Sequence, residues 1–147
     1  MNEPRGHTAD GTPVLPLTTQ ADIDPTLGLT PAGILSMNVS DWSKFLRVHI
    51  DGLSFSGRRI IKPGTVARLH TPYDGPGTQY AAGWAVVNVL GRQFVAHDGT
   101  NGNWYARVIL DPDLAYASFA VVNQGGPTAL TAVTNATLNQ ISAVPFF

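Results

Sequence analysis

The spacing of apolar positions changes period twice along the 147 residues of this chain. Residues 1–35 carry no period. Pro4, Pro13, Pro16, Pro25 and Pro31 interrupt them, together with Gly6, Gly11, Gly28 and Gly33. Proline removes a backbone donor and glycine loosens the chain, so neither a long helix nor a central strand is expected there. A lead of that length without structure is unusual for a complete compact domain, and it reads as a loop or linker cut from a larger protein. A helical period then begins. Trp42, Phe45, Leu46, His49 and Ile50 fall on one face and predict a helix over 38–51. Asn38 is its expected cap, and Asp41 lies in the first turn, where a carboxylate suits the helix dipole. Met37 and Trp42 have the spacing of a hydrophobic staple, and Gly52 is the expected stop. A second, short helix is predicted over 63–71. Pro63 suits its first turn, Val66, Leu69 and His70 share a side, and Pro72 blocks its continuation.

The period then shortens. Tyr80–Val89, Gln93–His97, Asn103–Leu110 and Tyr116–Asn123 are rich in Val, Ala, Tyr, Phe and Trp. Gly91-Arg92, Gly99–Gly102 and Pro112-Asp113 mark the turns between them, and connections this short favour antiparallel hairpins. A last helix is expected over 128–142, capped by Thr128 after the turn at Gly125-Gly126, with Leu130, Val133, Thr137 and Ile141 on one side. The fold class that follows is α+β: a meander of about four antiparallel strands over 80–123, with two helices N-terminal to it and the C-terminal helix covering one sheet face. The chain divides into an irregular lead, 1–35, and one folded unit, 36–147. It carries no internal repeat.

A hydrophobic share of 44% with 13% charged residues describes a globular chain that can bury a core. The formal net charge of -1 offers no basic stripe, so nucleic acid is not an expected partner. Cysteine is absent, which excludes disulfides, zinc–thiolate sites and cysteine nucleophiles without fixing the compartment. No stretch is long and apolar enough to span a bilayer. The first residues lack the apolar core of a signal peptide, so either the chain is cytoplasmic or Met1 begins a fragment of something longer.

The nucleophile motifs are missing. G-x-S-x-G does not occur, and "GLSFSG" at 52–57 has the wrong spacing. S-x-x-K, which places an amine one helical turn from a serine hydroxyl, is also absent. There is no phosphate-cradling glycine loop and no H-E-x-x-H. None of the four histidines, His7, His49, His70 and His97, lies at a metal-ligand spacing from another. His49 and His70 sit beside apolar neighbours in predicted helices, where a structural role is expected, and His7 is expected in solvent. "DPD" at 111–113 lacks the glycine and glutamate of a calcium loop and reads as a turn. The N-x-S/T matches at Asn38 and Asn135 are treated as chance. No metal or cofactor is implied. His97 stands apart: it ends a predicted strand, and Asp98, Gly99, Thr100, Asn101 and Gly102 follow it into a hairpin.

From Pro31 onward the chain resembles the C-terminal part of the serine β-lactamase and penicillin-binding-protein superfamily, in particular the class C-like β-lactamase, esterase and D-alanyl-D-alanine peptidase branch. "PAGILSMNVSDWSKFLRVHIDG" resembles that family's lead-in and Ser/Asp–aromatic–Lys-Phe-Leu helix. "IKPGTVARLHTPY" resembles the short helix that follows, and "YAAGW" the Y-x-x-G-W strand. "HDGTNGNWYARVILDPDLAYASFAVVNQGG" resembles the strand with the K-T-G or H-x-G motif, its hairpin and the next two strands. "GHTADGTPVLPL" is similar to the preceding linker. The match spans nearly the whole chain.

The resemblance implies a partial β-lactamase/transpeptidase-like fold and an acyl-transfer site. The family's S-x-x-K and Y-x-N or S-x-N elements lie N-terminal to the region matched. "SMN" at 36–38 fits S-x-N in letters but sits at the start of the Trp42 helix, so it is not that element. His97-Asp98-Gly99 stands for the third element. His97 replaces the lysine, Gly99 lets substrate lie against the strand, and the N–H of Thr100 matches half of an oxyanion hole. Thr100 and Asn101 side chains line the pocket. Asp98 replaces a small hydroxyl, and a carboxylate there repels an acidic substrate, which leaves a neutral ester or amide.

The expected activity is therefore acyl transfer or hydrolysis of a β-lactam, ester or D-amino-acid amide, with a small-molecule or peptide acyl substrate. The chain lacks the catalytic serine and lysine and is expected to be inactive alone. The family is often periplasmic or secreted. The missing N-terminal half, or a second copy, is the partner that would complete the site, and one sheet edge should then be exposed or paired with another chain. The alternative is a non-catalytic module that binds a peptide or acyl ligand along the strand ending at His97. A third reading makes Thr100 a nucleophile served by His97 and Asp98. Nothing visible activates that threonine, and neighbouring strand residues point to opposite faces.

Overall fold

Asn38 opens the main N-terminal helix as the pattern predicts. Its Oδ1 accepts the Asp41 backbone N–H at 2.8 Å, and the helix (α2) runs Val39–Asp51. The computed structural model describes residues 4–14, 27–73, 79–89, 91–113 and 115–144. A single turn, α1 (Thr30–Gly33), lies ahead of α2 and follows a 3-10 turn at Leu27–Leu29. Gly52 ends α2 in the left-handed region, at φ 73°, and a β-carbon there would lie 2.4 Å from the Ile61 carbonyl oxygen. Glycine is required on both counts. The buried side of α2 is narrower than its sequence suggests: Leu46 and His49 are buried, whereas Phe45 is 48% exposed. Helix α3 (Pro63–Leu69) starts on its proline and buries Val66. It stops before His70, two residues earlier than expected.

The sheet has four antiparallel strands in the order β1 (Ala85–Val89), β2 (Arg92–Thr100), β3 (Tyr105–Asp111) and β4 (Tyr116–Val122). Both ends of β3, the end of β4 and the start of β2 shift by one or two residues from expectation, and two boundaries move further. Tyr80 does not start β1. Ala81 donates its N–H to the Trp84 carbonyl at 2.7 Å, and this turn folds Tyr80 back into a bridge with Ala85. Strand β2 does not end at His97 but continues, in register with β3, to Thr100 opposite Tyr105.

Strand alternation sorts the core into two layers. Val86, Val95, Val108 and Leu110 face α2 and pack with Leu46, Ala81 and Trp84; Trp42 and Phe119 close this side with ring centroids 4.6 Å apart. Phe94, Ala96, Ile109 and Tyr105 face the C-terminal helix, α4 (Gly126–Ser142). Burial on both faces is the main stabilising term, at about 25 cal/mol per Å² of apolar surface removed from water. The inner side of α4 is Ala129, Val133, Thr137 and Ile141. Leu130, expected there, is 37% exposed, and Thr128, the expected cap, lies inside the helix because Gly125 is the cap. The buried Thr137 hydroxyl is satisfied within the helix by the Val133 carbonyl at 2.9 Å.

Part of the lead is ordered against the sheet. Residues 6–14 turn back on themselves through a His7–Pro13 bridge. His7 donates its N–H to Asn103 O at 3.1 Å, its carbonyl accepts from Gly125 N at 3.0 Å, and its Nδ1 lies 2.8 Å from Asn123 O. The expectation of a solvated His7 in an irregular lead is corrected: it is half-buried and ties the lead to the sheet. Residues 15–17 at the end of the linker match, and Pro25, lie outside the described residues.

Among the described residues, no strand pairs with the outer edge of β4. The registers make 116, 118, 120 and 122 address β3, which leaves the main-chain groups of Ala117, Phe119 and Val121 directed outward.

Candidate functional site

The residues His97–Thr100 occupy the half of β2 that extends beyond β1. The register pairs Ala85 with Ala96, and β1 has no residue opposite His97. Val86 donates its N–H to Gln79 O at 2.7 Å, away from β2, so Ala85 and Val87 are the residues that address β2, at Ala96 and Phe94. Alternation along the ladder then turns the main-chain groups of Asp98 and Thr100 toward the side that β1 leaves uncovered. All four residues from His97 to Thr100 are exposed. A β-carbon on Gly99 would meet nothing within 4 Å. Among the described residues, the result is a short open edge, with outward main-chain donors and acceptors at two alternate residues and bare backbone between them.

The side chains split between the two faces. His97 shares the α2 side with Val95, and its Nδ1 lies 3.4 Å from the Tyr80 hydroxyl. Asp98 points to the α4 side. There the Tyr105 hydroxyl donates to its Oδ2 at 2.6 Å and Arg107 pairs with its Oδ1 at 3.1 Å. The hydrogen bond to Asp98 is the main cause that raises the Tyr105 pKa above its ordinary value, with burial adding to it. Arg107 offsets the Asp98 charge, which weakens the expected repulsion of an acidic substrate. His97 and Asp98 therefore do not converge on one point.

Thr100 and Asn101 build the hairpin. The Thr100 hydroxyl donates to the Trp104 carbonyl at 2.6 Å and accepts the Gly102 N–H at 2.9 Å. The Asn101 Oδ1 accepts from Asn103 N and Trp104 N at 3.1 and 3.0 Å. Both side chains are committed to holding the turn, so the edge is preorganised. Behind it Gly125 packs directly on Gly102: a β-carbon at 125 would lie 1.9 Å from the Gly102 oxygen.

Other polar groups gather elsewhere. His49 and His70 are buried with their Nδ1 and Nε2 atoms 3.2 Å apart, and Trp84 stands edge-on to both rings. Burial, with the neighbouring His70, lowers the His49 pKa to about 4, and burial lowers that of His70. A neutral pair, one ring donating to the other, is the arrangement this favours. Among the described residues, no group of three His, Asp or Glu side chains is placed to hold a metal ion, and no helix is long and apolar enough to cross a membrane. An open cavity of about 440 Å³ lies at the opposite end of β2, lined by His70, Val66, Gln93 and Pro112. It is remote from Thr100, and the open edge is a surface feature and not a pocket.

The sequence pattern missed Tyr105 and Arg107 as the partners of Asp98, and Tyr80 as the neighbour of His97. Cross-strand pairing of Asp98 with Arg107 carries the one signal that was available, opposite charges across a hairpin. No protein-family model, curated protein or solved structure matches this chain.

Proposed function

We propose that the exposed end of β2 is one wall of an acyl-transfer site in a β-lactamase-like serine hydrolase, with the serine and lysine contributed by a polypeptide segment outside this sequence. The observation that carries the reading is the open main-chain edge at Asp98 and Thr100 around a glycine with no neighbour. An extended acyl or peptide ligand pairs with such an edge as an added strand. The Thr100 N–H is directed outward, as a donor to a developing oxyanion must be. His97 lies beside the edge on the α2 face as the polar group that replaces the family's lysine. The uncovered outer edge of β4 leaves room for further strands from that same segment.

The alternative, a binding module without turnover, is favoured by one observation. The Thr100 hydroxyl donates its proton to the Trp104 carbonyl, and His97 and Asp98 leave on opposite faces, so no triad assembles around it.

Intact mass after incubation with a penicillin and with a reactive p-nitrophenyl ester, together with hydrolysis followed by absorbance, tests the reading. The expected result is no adduct and no turnover, with ligand-dependent amide shifts at Asp98 and Thr100. A stoichiometric acyl adduct on this chain overturns the claim that its nucleophile lies elsewhere. Amide shifts absent from 97–101 at saturating ligand overturn the wall itself.

A further inference from the structure

A second surface lies on the far side of α2 and has nothing to do with the β2 edge. After Gly52 the chain folds back through a Leu53–Arg59 bridge. Ser54 donates its N–H to Arg58 O at 2.8 Å and Gly57 to Ser54 O at 2.9 Å, which closes a tight turn beside the helix. Between this turn and α2 runs a groove of about 410 Å³ lined by Phe45, Val48, Phe55 and Ile60, with Lys44 at its rim. Phe45, Phe55 and Ile60 are 48%, 62% and 43% exposed. Three large apolar side chains gathered around one groove exceed what scattered surface exposure explains.

The chain segment that carries the groove, residues 39–70, is basic. Residues 39–70 hold Lys44, Arg47, Arg58, Arg59, Lys62 and Arg68 against Asp41 and Asp51, six cations and two carboxylates for a local charge of +4, in a chain whose net charge is -1. Both carboxylates are already used: Asp41 pairs with Lys44 and Asp51 with Arg47, each at 2.7 Å. Arg59 donates to the Asp51 carbonyl at 2.6 Å. Among the described residues, Arg58, Lys62 and Arg68 make no ion pair. Arg58 sits in the turn that forms one wall, and Lys62 follows Ile60 by two residues.

We infer that this groove docks an acidic amphipathic segment of a partner protein. Its apolar side chains enter between Phe45, Val48, Phe55 and Ile60, and its carboxylates meet Arg58 and Lys62. Charge complementarity selects the partner: an acidic segment gains at a rim whose own carboxylates are spent, while a basic one is repelled. The apolar residues line a shallow groove between α2 and the turn, which can accept side chains of a helix as i, i+3 and i+7 anchors.

The test is a fluorescence anisotropy titration of the full chain with a labelled 16-residue helical peptide carrying Leu and Phe at i, i+3 and i+7 and Glu between them. A Lys-for-Glu version with the same apolar positions and vesicles of phosphatidylserine and phosphatidylcholine serve as comparisons. Expected is saturable binding of the acidic peptide, at least tenfold tighter than the basic one and weakened by salt. Phe55→Ser and Arg58→Glu each reduce binding at least fivefold with the unfolding midpoint unchanged, since both side chains are exposed. Equal binding of the two peptides, binding of neither, or vesicle binding without peptide binding overturns the proposal.

Discussion

Arg92–Ala96 and His97–Thr100 are halves of one strand, and they differ in what stands beside them. The first half is flanked by β1 and β3, and Phe94, Val95 and Ala96 are buried between α2 and α4. Among the described residues, the second half has β3 on one side only, and every residue in it is exposed. A strand covered on both edges and both faces has its main-chain groups consumed by the fold, and it contributes stability. A strand that runs past its neighbour keeps its pleat, held by β3, but its outward N–H and C=O groups remain available to a ligand. One element thereby combines a rigid, covered half with a half whose outer edge is open among the described residues.

The sharpest break in that comparison comes from the covered half. Leu110, opposite Val95 and fully buried, is expected to lose about 2–5 kcal/mol of stability on Leu110→Ala in urea unfolding. A loss below 1 kcal/mol would mean that the packing between β2, β3 and α2 does not carry the fold.

The exposed half depends on the contact behind it. Gly125→Ala forces a β-carbon against the Gly102 oxygen. The expected destabilisation is about 1–3 kcal/mol, as for other overpacked sites, with amide shifts at 101–103. An unshifted hairpin would show that the edge is held by its own turn alone.

The His49–His70 pair gives the covered side a pH signature. Its folded-state pKa values lie below the ordinary 6.5, with His49 at about 4, so the unfolded chain takes up protons first as pH falls. Stability is therefore constant above the unfolded value and declines from there toward pH 4, by about 1.4 kcal/mol per pH unit for each such proton. Melting temperatures at pH 7.5 and 5.0 should differ, and His49→Phe combined with His70→Phe should narrow the difference. Binding at the β2 edge should not follow this decline at temperatures where the chain stays folded.

Smaller effects are expected at the open end. Asp98 is 36% exposed in its pair with Arg107, so Asp98→Asn costs about 1 kcal/mol or less. It also lets the Tyr105 hydroxyl titrate nearer its ordinary value, readable as ultraviolet absorbance against pH. Gly99→Val, with no neighbour to strike, should move stability by only about 0.5 kcal/mol. It should reduce ligand binding along β2 at least tenfold. Unchanged binding in that variant would remove the open edge from the site.

Helix α2 was legible because its signals are local: the Asn38 cap, the Gly52 stop and the apolar spacing between them act within a few residues. The four strands were legible because their period and turn residues are equally local. Boundaries failed where a turn or a hairpin pairing overrode the strand period, and the lead where distant contacts intervene. Tyr80 was drawn out of β1 by the turn at Ala81–Trp84, β2 was lengthened by pairing with Tyr105, and His7 was taken from solvent by Asn103 and Gly125. Leu130 lost its inner place to Ala129, which continues the four-residue spacing of Val133, Thr137 and Ile141 along the buried side of α4. At the candidate site, chain order brought His97 through Asn101 together. It did not reveal that Asp98 leaves on the far face toward Tyr105 and Arg107.

By itself the sequence determined the α+β class, the order of helices and strands, and where a glycine must turn the chain, since each rests on short-range periodicity and backbone sterics. Only the tertiary structure decided which half of β2 is covered, which lead residues dock, and that His49 meets His70. Those outcomes depend on the registers between strands and on the packing of helices against two faces, distances that no local pattern encodes.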